Sequence, residues 1–187
     1  ISDGNWQTGF GPIVSSEIYD GEQQDTRLTW KAQGQAKEIQ ANFDVLTAQM
    51  NEPIKKQEVL TVKKVLKSPT GNTILDFGQN IVGWVKLKVK GKSGQKVVLR
   101  HVEMLDKFGE PYFANLRSAK AQASYELSGM PEIIEPHFTF FGFRYVQVEG
   151  YDVKPEDFTA IALHSNMEST GSFETSNPLL NQLHSNI

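Results

Sequence analysis

The sequence predicts an all-β chain: an antiparallel β-sandwich of jelly-roll-like type, ending in one short C-terminal helix. Three observations lead there. Short runs of alternating apolar and polar residues recur, most regularly in Trp84-Val85-Lys86-Leu87-Lys88-Val89-Lys90, and a period of two marks a strand with one buried face. Clusters of Gly, Pro, Asn and Ser separate these runs, as turns separate strands. Only the end of the chain breaks the pattern, where Leu179, Leu180, Leu183 and Ile187 fall at helical spacing.

In chain order, residues 1–50 hold about three short strands, with candidates at Ile13-Val14 and Arg27-Leu28-Thr29-Trp30, too few for a closed core. Ala32 to Gln40 is polar and poor in β-branched residues, and reads as a loop, with Pro53-Ile54 as a boundary. Val59–Val62 and Thr73–Leu75 are short strands. In the run from Trp84 to Lys90, Val85, Leu87 and Val89 share one face, while Trp84 and the lysines share the other. The turn Gly91-Lys92-Ser93-Gly94 and the run Lys96 to Glu103 then suggest a hairpin. Ala123–Leu127, Phe143–Val148 and Thr159–Leu163 complete the strands. Asn177 suits an N-cap and Pro178 the first helical position. So short a helix does not hold without a partner, and the reading preferred is that the natural protein continues into something helical.

Composition narrows the function classes. With 39% hydrophobic and 22% charged residues in 187, the chain has the makings of a folded core rather than a disordered tail. A net charge of -3 supplies no general field to hold nucleic acid or an anionic membrane, and no apolar run approaches the length of a membrane span. The absence of cysteine excludes disulfides, thiol chemistry and thiolate metal sites. The chain begins Ile1-Ser2-Asp3, without initiator Met or leader, and is expected to be processed or excised from something longer.

No catalytic motif stands out. The four histidines are widely spaced and no HExxH or EF-hand pattern occurs, so no metal or other cofactor is expected. Gly9-Phe10-Gly11 runs into Pro12 and reads as a turn, not a dinucleotide loop. No Gly-x-Ser-x-Gly elbow is present. Glycosidases use paired carboxylates. The acid of most interest is Glu103, two residues from His101 and so on the same face of a strand. Such a pair can move a proton, although a hydrogen-bonded pair half-buried in the sheet is the favoured reading. In His137-Phe138-Thr139-Phe140-Phe141-Gly142-Phe143-Arg144-Tyr145 most rings are expected to fill the core rather than stack on sugars, with Arg144 against a ring or an acid. Lys86, Lys88 and Lys90, with Lys92 and Lys96, read as a solvated sheet face.

Five strings, in order, resemble the bacterial alpha-L-rhamnosidase family. They are Trp6 followed by Gly11-Pro12-Ile13 and Ile18-Tyr19-Asp20-Gly21-Glu22 with Asp25 and Arg27; Leu75-Asp76-Phe77-Gly78-Gln79-Asn80-Ile81-Val82-Gly83-Trp84; Leu99-Arg100-His101-Val102-Glu103-Met104-Leu105; Phe138 to Tyr145; and Gly171-Ser172-Phe173-Glu174-Thr175-Ser176-Asn177-Pro178-Leu179-Leu180-Asn181. The resemblance implies residues 1–52 as the end of an N-terminal β domain, 53–165 as a β-sandwich domain, and 166–187 as linker and start of a catalytic helical domain. It also implies a parent protein that hydrolyses terminal alpha-L-rhamnose with inversion, using acids on an (α/α)6 barrel downstream, in the periplasm or outside the cell. No catalytic residue is therefore assigned here. The sandwich would buttress the barrel of the same chain, and Trp84, Tyr112 and Arg144 are candidates for touching distal sugars of a rhamnose-containing glycan. Two alternatives stand: an autonomous carbohydrate-binding module, and a self-contained enzyme using Glu103.

Overall fold

The structure, a computed structural model, describes residues 3–187. Twelve strands and one helix follow in order: β1 Gln7–Phe10, β2 Ile13–Glu17, β3 Gly21–Asp25, β4 Lys31–Gln35, β5 Ile54–Thr61, β6 Lys64–Lys67, β7 Thr73–Val89, β8 Lys96–Val102, β9 Gln122–Glu126, β10 Glu132–Ile134, β11 Phe141–Glu149, β12 Phe158–Ser165 and α1 Pro178–Asn186. β1 and β4 form a two-stranded ribbon. The rest join in one curled sheet, ordered β2-β3-β9-β8-β11-β7-β12-β5, with β6 and β10 also on β7. The fold is thus mostly β and sandwich-like with one short helix, the class the alternation predicts.

β7 organises the sheet. Its first residues, Thr73 to Asp76, lie between β6 and β11. Its later residues lie against β12 and then β10. Between the two parts the register with β11 jumps from Tyr145↔Asp76 to Phe143↔Ile81, so Phe77 to Asn80 face Arg144 alone. Gly78, at φ 82°, supplies the left-handed residue that this bulge requires. Extra residues in one strand increase its bend and twist, and the sheet curls around a single apolar cluster. Leu75, Phe77, Val85, Leu87, Leu99, Tyr125, Phe143, Val146 and Phe158 all belong to that cluster. Ile74 and Leu75 are consecutive and both fully buried, which means that both faces of the sheet are covered there.

Several sequence expectations are corrected. The Trp84–Lys90 and Lys96–Glu103 runs lie in strands but do not form a hairpin, because the first pairs with β12 and β10 and the second with β11 and β9. Thr73–Leu75 and Trp84–Lys90 are ends of one strand. Arg27–Trp30 is a turn, not a strand: the Asp25 carboxylate accepts from the Arg27 backbone N–H at 3.1 Å and from its guanidinium at 2.9 and 2.7 Å. The Ala32–Gln40 stretch is not all loop, since its start lies in β4, where pairing with β1 satisfies the backbone. Half of the Phe138–Phe143 phenylalanines are outside the core: Phe141 and Phe143 are buried, but Phe138 and Phe140 are exposed.

The helix forms as its cap predicts. Asn177 Oδ1 accepts from the Leu179 N–H at 2.9 Å, and Pro178 opens the first turn. Thr175 and Asn181 brace it through reciprocal hydrogen bonds of 2.8 Å. Leu179, Leu180 and Leu183 nevertheless remain exposed.

Candidate functional site

The three candidate sugar contacts occupy three separate settings, and no hydrogen bond or ring contact joins them among the described residues. Trp84 stands on the outer face of β7. Its Nε1–H donates to Glu135 Oε2 at 2.7 Å. Lys56 Nζ lies 3.3 Å from Glu135 Oε1 and 5.1 Å from the Trp84 ring centroid. Burial alone would raise the Glu135 carboxyl, but the Trp84 and Lys56 donors outweigh it and hold the group below its usual range. The indole edge is thus committed to Glu135 and one ring face carries the Lys56 ammonium.

Arg144 projects at the β7 bulge. Its Nε and Nη2 donate to the two Asp76 oxygens at 2.9 and 3.1 Å, and its guanidinium carbon lies 4.9 Å from the Tyr145 ring centroid. Both roles expected of Arg144, pairing with an acid and stacking on a ring, are present. Asp76 is buried, which alone would raise its pKa, but Arg144 and the Gly78 N–H hold it below the usual carboxylate range. This fork fastens the bulge and leaves the guanidinium partly occupied.

Tyr112 sits in the loop after β8, its ring half-exposed and its N–H donating to the Met104 carbonyl at 3.2 Å. Asp106 Oδ1 accepts from the Phe108 and Glu110 N–H groups at 2.8 and 2.9 Å and shapes that loop. Glu110 in turn accepts from Thr70 N–H at 2.7 Å and Thr70 Oγ1 at 3.0 Å, tying it to the β6–β7 turn.

The His101–Glu103 pair is not formed, neither as acid–base catalyst nor as hydrogen-bonded pair. β8 ends at Val102, so the two-residue period lapses before Glu103. His101 is fully buried, with Nδ1 at 3.0 Å from the Ala121 carbonyl and its ring stacked on Phe141 at 4.1 Å. Glu103 is exposed and accepts from Asn80 Nδ2 at 3.1 Å.

One important residue drew no separate reading from its chemistry. Glu22 is buried, and its carboxylate accepts from Ser16 Oγ at 3.0 Å, Gln24 Nε2 at 2.6 Å, His137 N–H at 3.0 Å and Phe138 N–H at 2.9 Å. It locks β2 and β3 to the segment before β11. The only sequence signal was its place in the Tyr19-Asp20-Gly21-Glu22 string; its backbone donors, His137 and Phe138, come from a distant chain segment. With its oxygens saturated in this way, Glu22 is a fastening, as Asp76 is. Among the described residues no three His, Asp or Glu side chains converge as metal ligands.

Comparison with known proteins settles the family. Residues 66–164 match the family described as "Bacterial alpha-L-rhamnosidase concanavalin-like domain". The chain belongs to this family. An alpha-L-rhamnosidase of Streptomyces avermitilis is 41% identical over 197 residues, which take in 98% of this chain and 19% of that protein. A crystal structure of the native alpha-L-rhamnosidase of Aspergillus terreus superposes with a TM-score of 0.89 at 41% identity, over 99% of this chain and 23% of that one. The Streptomyces avermitilis enzyme complexed with L-rhamnose superposes with a TM-score of 0.87 at 40% identity, over 99% of this chain and 19% of that one. This chain thus spans about a fifth of the length of these relatives. Its matched stretch takes in Trp84, Tyr112 and Arg144, and leaves Glu22 and α1 outside.

Proposed function

We propose that this chain is the non-catalytic β-sandwich of an alpha-L-rhamnosidase and that it buttresses the catalytic (α/α)6 domain of the same polypeptide. That domain would remove terminal alpha-L-rhamnose from glycans or glycosides with inversion, in the periplasm or outside the cell. The observation that carries the reading is the likeness of the whole chain to a fifth of the length of alpha-L-rhamnosidases, in a chain whose buried acids both serve as fastenings. An inverting site needs two carboxyls about 6.5–9.5 Å apart with a water between them. Glu22 and Asp76 are engaged by donors that fasten strands and a bulge, and Glu103 meets only the Asn80 amide among the described residues. The exposed leucines of α1 and the apolar residues between β4 and β5 fit surfaces that the rest of a longer polypeptide would cover.

The test compares para-nitrophenyl alpha-L-rhamnoside hydrolysis by this chain and by the longer protein. Turnover by the longer protein alone is the expected result. Turnover by the chain that disappears in Glu103→Gln would reinstate the self-contained enzyme, and no turnover by either would remove the rhamnosidase reading.

A further inference from the structure

A cleft of about 640 Å³ opens where β10 crosses the end of β7, and Trp84, Tyr112 and Arg144 are not among its lining residues. Its size falls in the range of small-ligand sites, roughly 300–1,000 Å³. Pro131, Ile133 and Tyr151 give it apolar walls, and Lys88, Lys90 and Lys154 ring it with ammonium groups.

The geometry is held by the fold. Ile133 pairs with Lys88 across β10 and β7, so their side chains stand side by side on the outer face. Ile133 is 65% exposed; the core has no use for it. The Tyr151 ring is fixed at both ends, packing edge-on against Phe158 at 6.0 Å and donating its hydroxyl to Asp157 Oδ2 at 2.9 Å.

The charges in the cleft are unequal in availability. Glu132 also lines it, but its Oε1 accepts from Thr26 Oγ1 at 2.8 Å and from Ser128 Oγ at 3.2 Å. Asp157 is engaged by Tyr151. Lys88, Lys90 and Lys154 form no ion pair among the described residues. The hydroxyl donors orient the two acids without cancelling their charge, but three lysines outnumber them, so the cleft presents a net positive charge beside a tyrosine and an aliphatic wall. A bare phosphate would leave the apolar walls unused, and a neutral sugar would leave the ammoniums unanswered. A pyranose ring carrying a carboxylate satisfies both, with its C–H face on Tyr151 or Ile133 and its charge among the lysines.

We propose that this cleft is a binding subsite for a uronic-acid residue of an anionic glycan, separate from any rhamnose site. The proposal rests on the glycan-handling reading above for the class of polymer that reaches it. The test is a calorimetric titration of the chain at low ionic strength with a galacturonic-acid trisaccharide and with the methyl ester of the same trisaccharide. The free acid should bind saturably and the ester about tenfold more weakly, and a Lys88→Gln/Lys154→Gln variant with an unchanged circular dichroism spectrum should lose about tenfold for the acid alone. Added salt should weaken the acid and leave the ester unmoved. Equal binding of acid and ester, no saturable binding, or undiminished binding by the variant would each overturn the subsite. Rhamnoside hydrolysis by the longer protein reads the proposed function and this titration reads the cleft, so a failed titration beside intact hydrolysis rejects the subsite alone.

Discussion

His101 shows what burial does to a single side chain. The ring lies between Phe141 and Phe143, and its Nδ1–H donates to the Ala121 carbonyl. That assignment leaves Nε2 as a buried nitrogen with no partner. Burial pushes the imidazole pKa from 6.5 down to about 4, against the opposing pull of the Ala121 carbonyl. In the unfolded chain the same ring protonates near its ordinary value. Between the two values the unfolded state binds the extra proton, so stability rises with pH across that window and is lost as pH falls from about 6.5 toward 4. The depressed value corresponds to on the order of 3 kcal/mol lost by the acid end of the window. Urea unfolding midpoints at steps from pH 7 to pH 4 should therefore fall steeply in the wild type and less steeply in His101→Leu. Parallel slopes in the two proteins would show that other groups set the acid limit. The Asp76 carboxylate does not compete for this window, because its lowered pKa confines its loss to more acidic conditions. At this scale the sequence was a partial guide. The His101–Glu103 spacing assumed a strand that stops one residue too soon, and the backbone donors of Glu22, His137 and Phe138, lie more than a hundred residues away, where no local pattern reaches.

Strands with strong alternation were legible one by one: Val85, Leu87 and Val89 point inward as their spacing requires, and α1 starts at its cap. Their pairing was not legible. The turn at Gly91–Gly94 suggested a hairpin, yet β11 lies between the two strands, a long-range choice made by the curl of the sheet. The continuity of β7 was hidden because Gly78 and Asn80 are of residue types that favour turns, whereas here they build a bulge. Gly83 tests this element. It sits between Phe141 of β11 and Ala162 of β12, and a Cβ there would lie 1.8 Å from the Ile161 carbonyl oxygen. That obstacle is backbone and cannot rotate away. Gly83→Ala must part β7 from β12 and should cost about 3 kcal/mol or more, a size tied to broken backbone geometry or packing. Gly171→Ala, where nothing lies within 4 Å, should stay within about 0.5 kcal/mol. Chemical denaturation of the pair gives the comparison, and similar midpoints would show that the β7–β12 contact yields easily.

The whole molecule has a well-filled core and an unusually apolar periphery. Between β4 and β5, Ile39, Phe43, Val45, Leu46 and Met50 are all exposed, Met50 at 97%, on a stretch whose one regular element is a 3-10 turn at Phe43–Val45. The β1–β4 ribbon is exposed throughout, and isolated two-stranded ribbons are marginal in water. Along α1, Leu179, Leu180, Leu183 and Ile187 form an exposed stripe that no isolated helix of nine residues would sustain. Single exposed apolar residues need no explanation, but contiguous ones mark surfaces meant to be covered. Relatives about five times as long supply the natural cover in the proposed role. Alone, the chain should satisfy these surfaces with copies of itself. Sedimentation velocity at rising concentration should show a reversible shift to larger species, and Leu180→Lys with Leu183→Lys should move the distribution back toward monomer while the circular dichroism of the β-sheet stays unchanged. The same two changes placed in the longer protein should lower its thermal stability, because there they charge a face that packs. A chain that stays monomeric at every concentration, or a longer protein indifferent to the lysines, would mean that the α1 stripe is solvated by design and that the docking surface lies elsewhere.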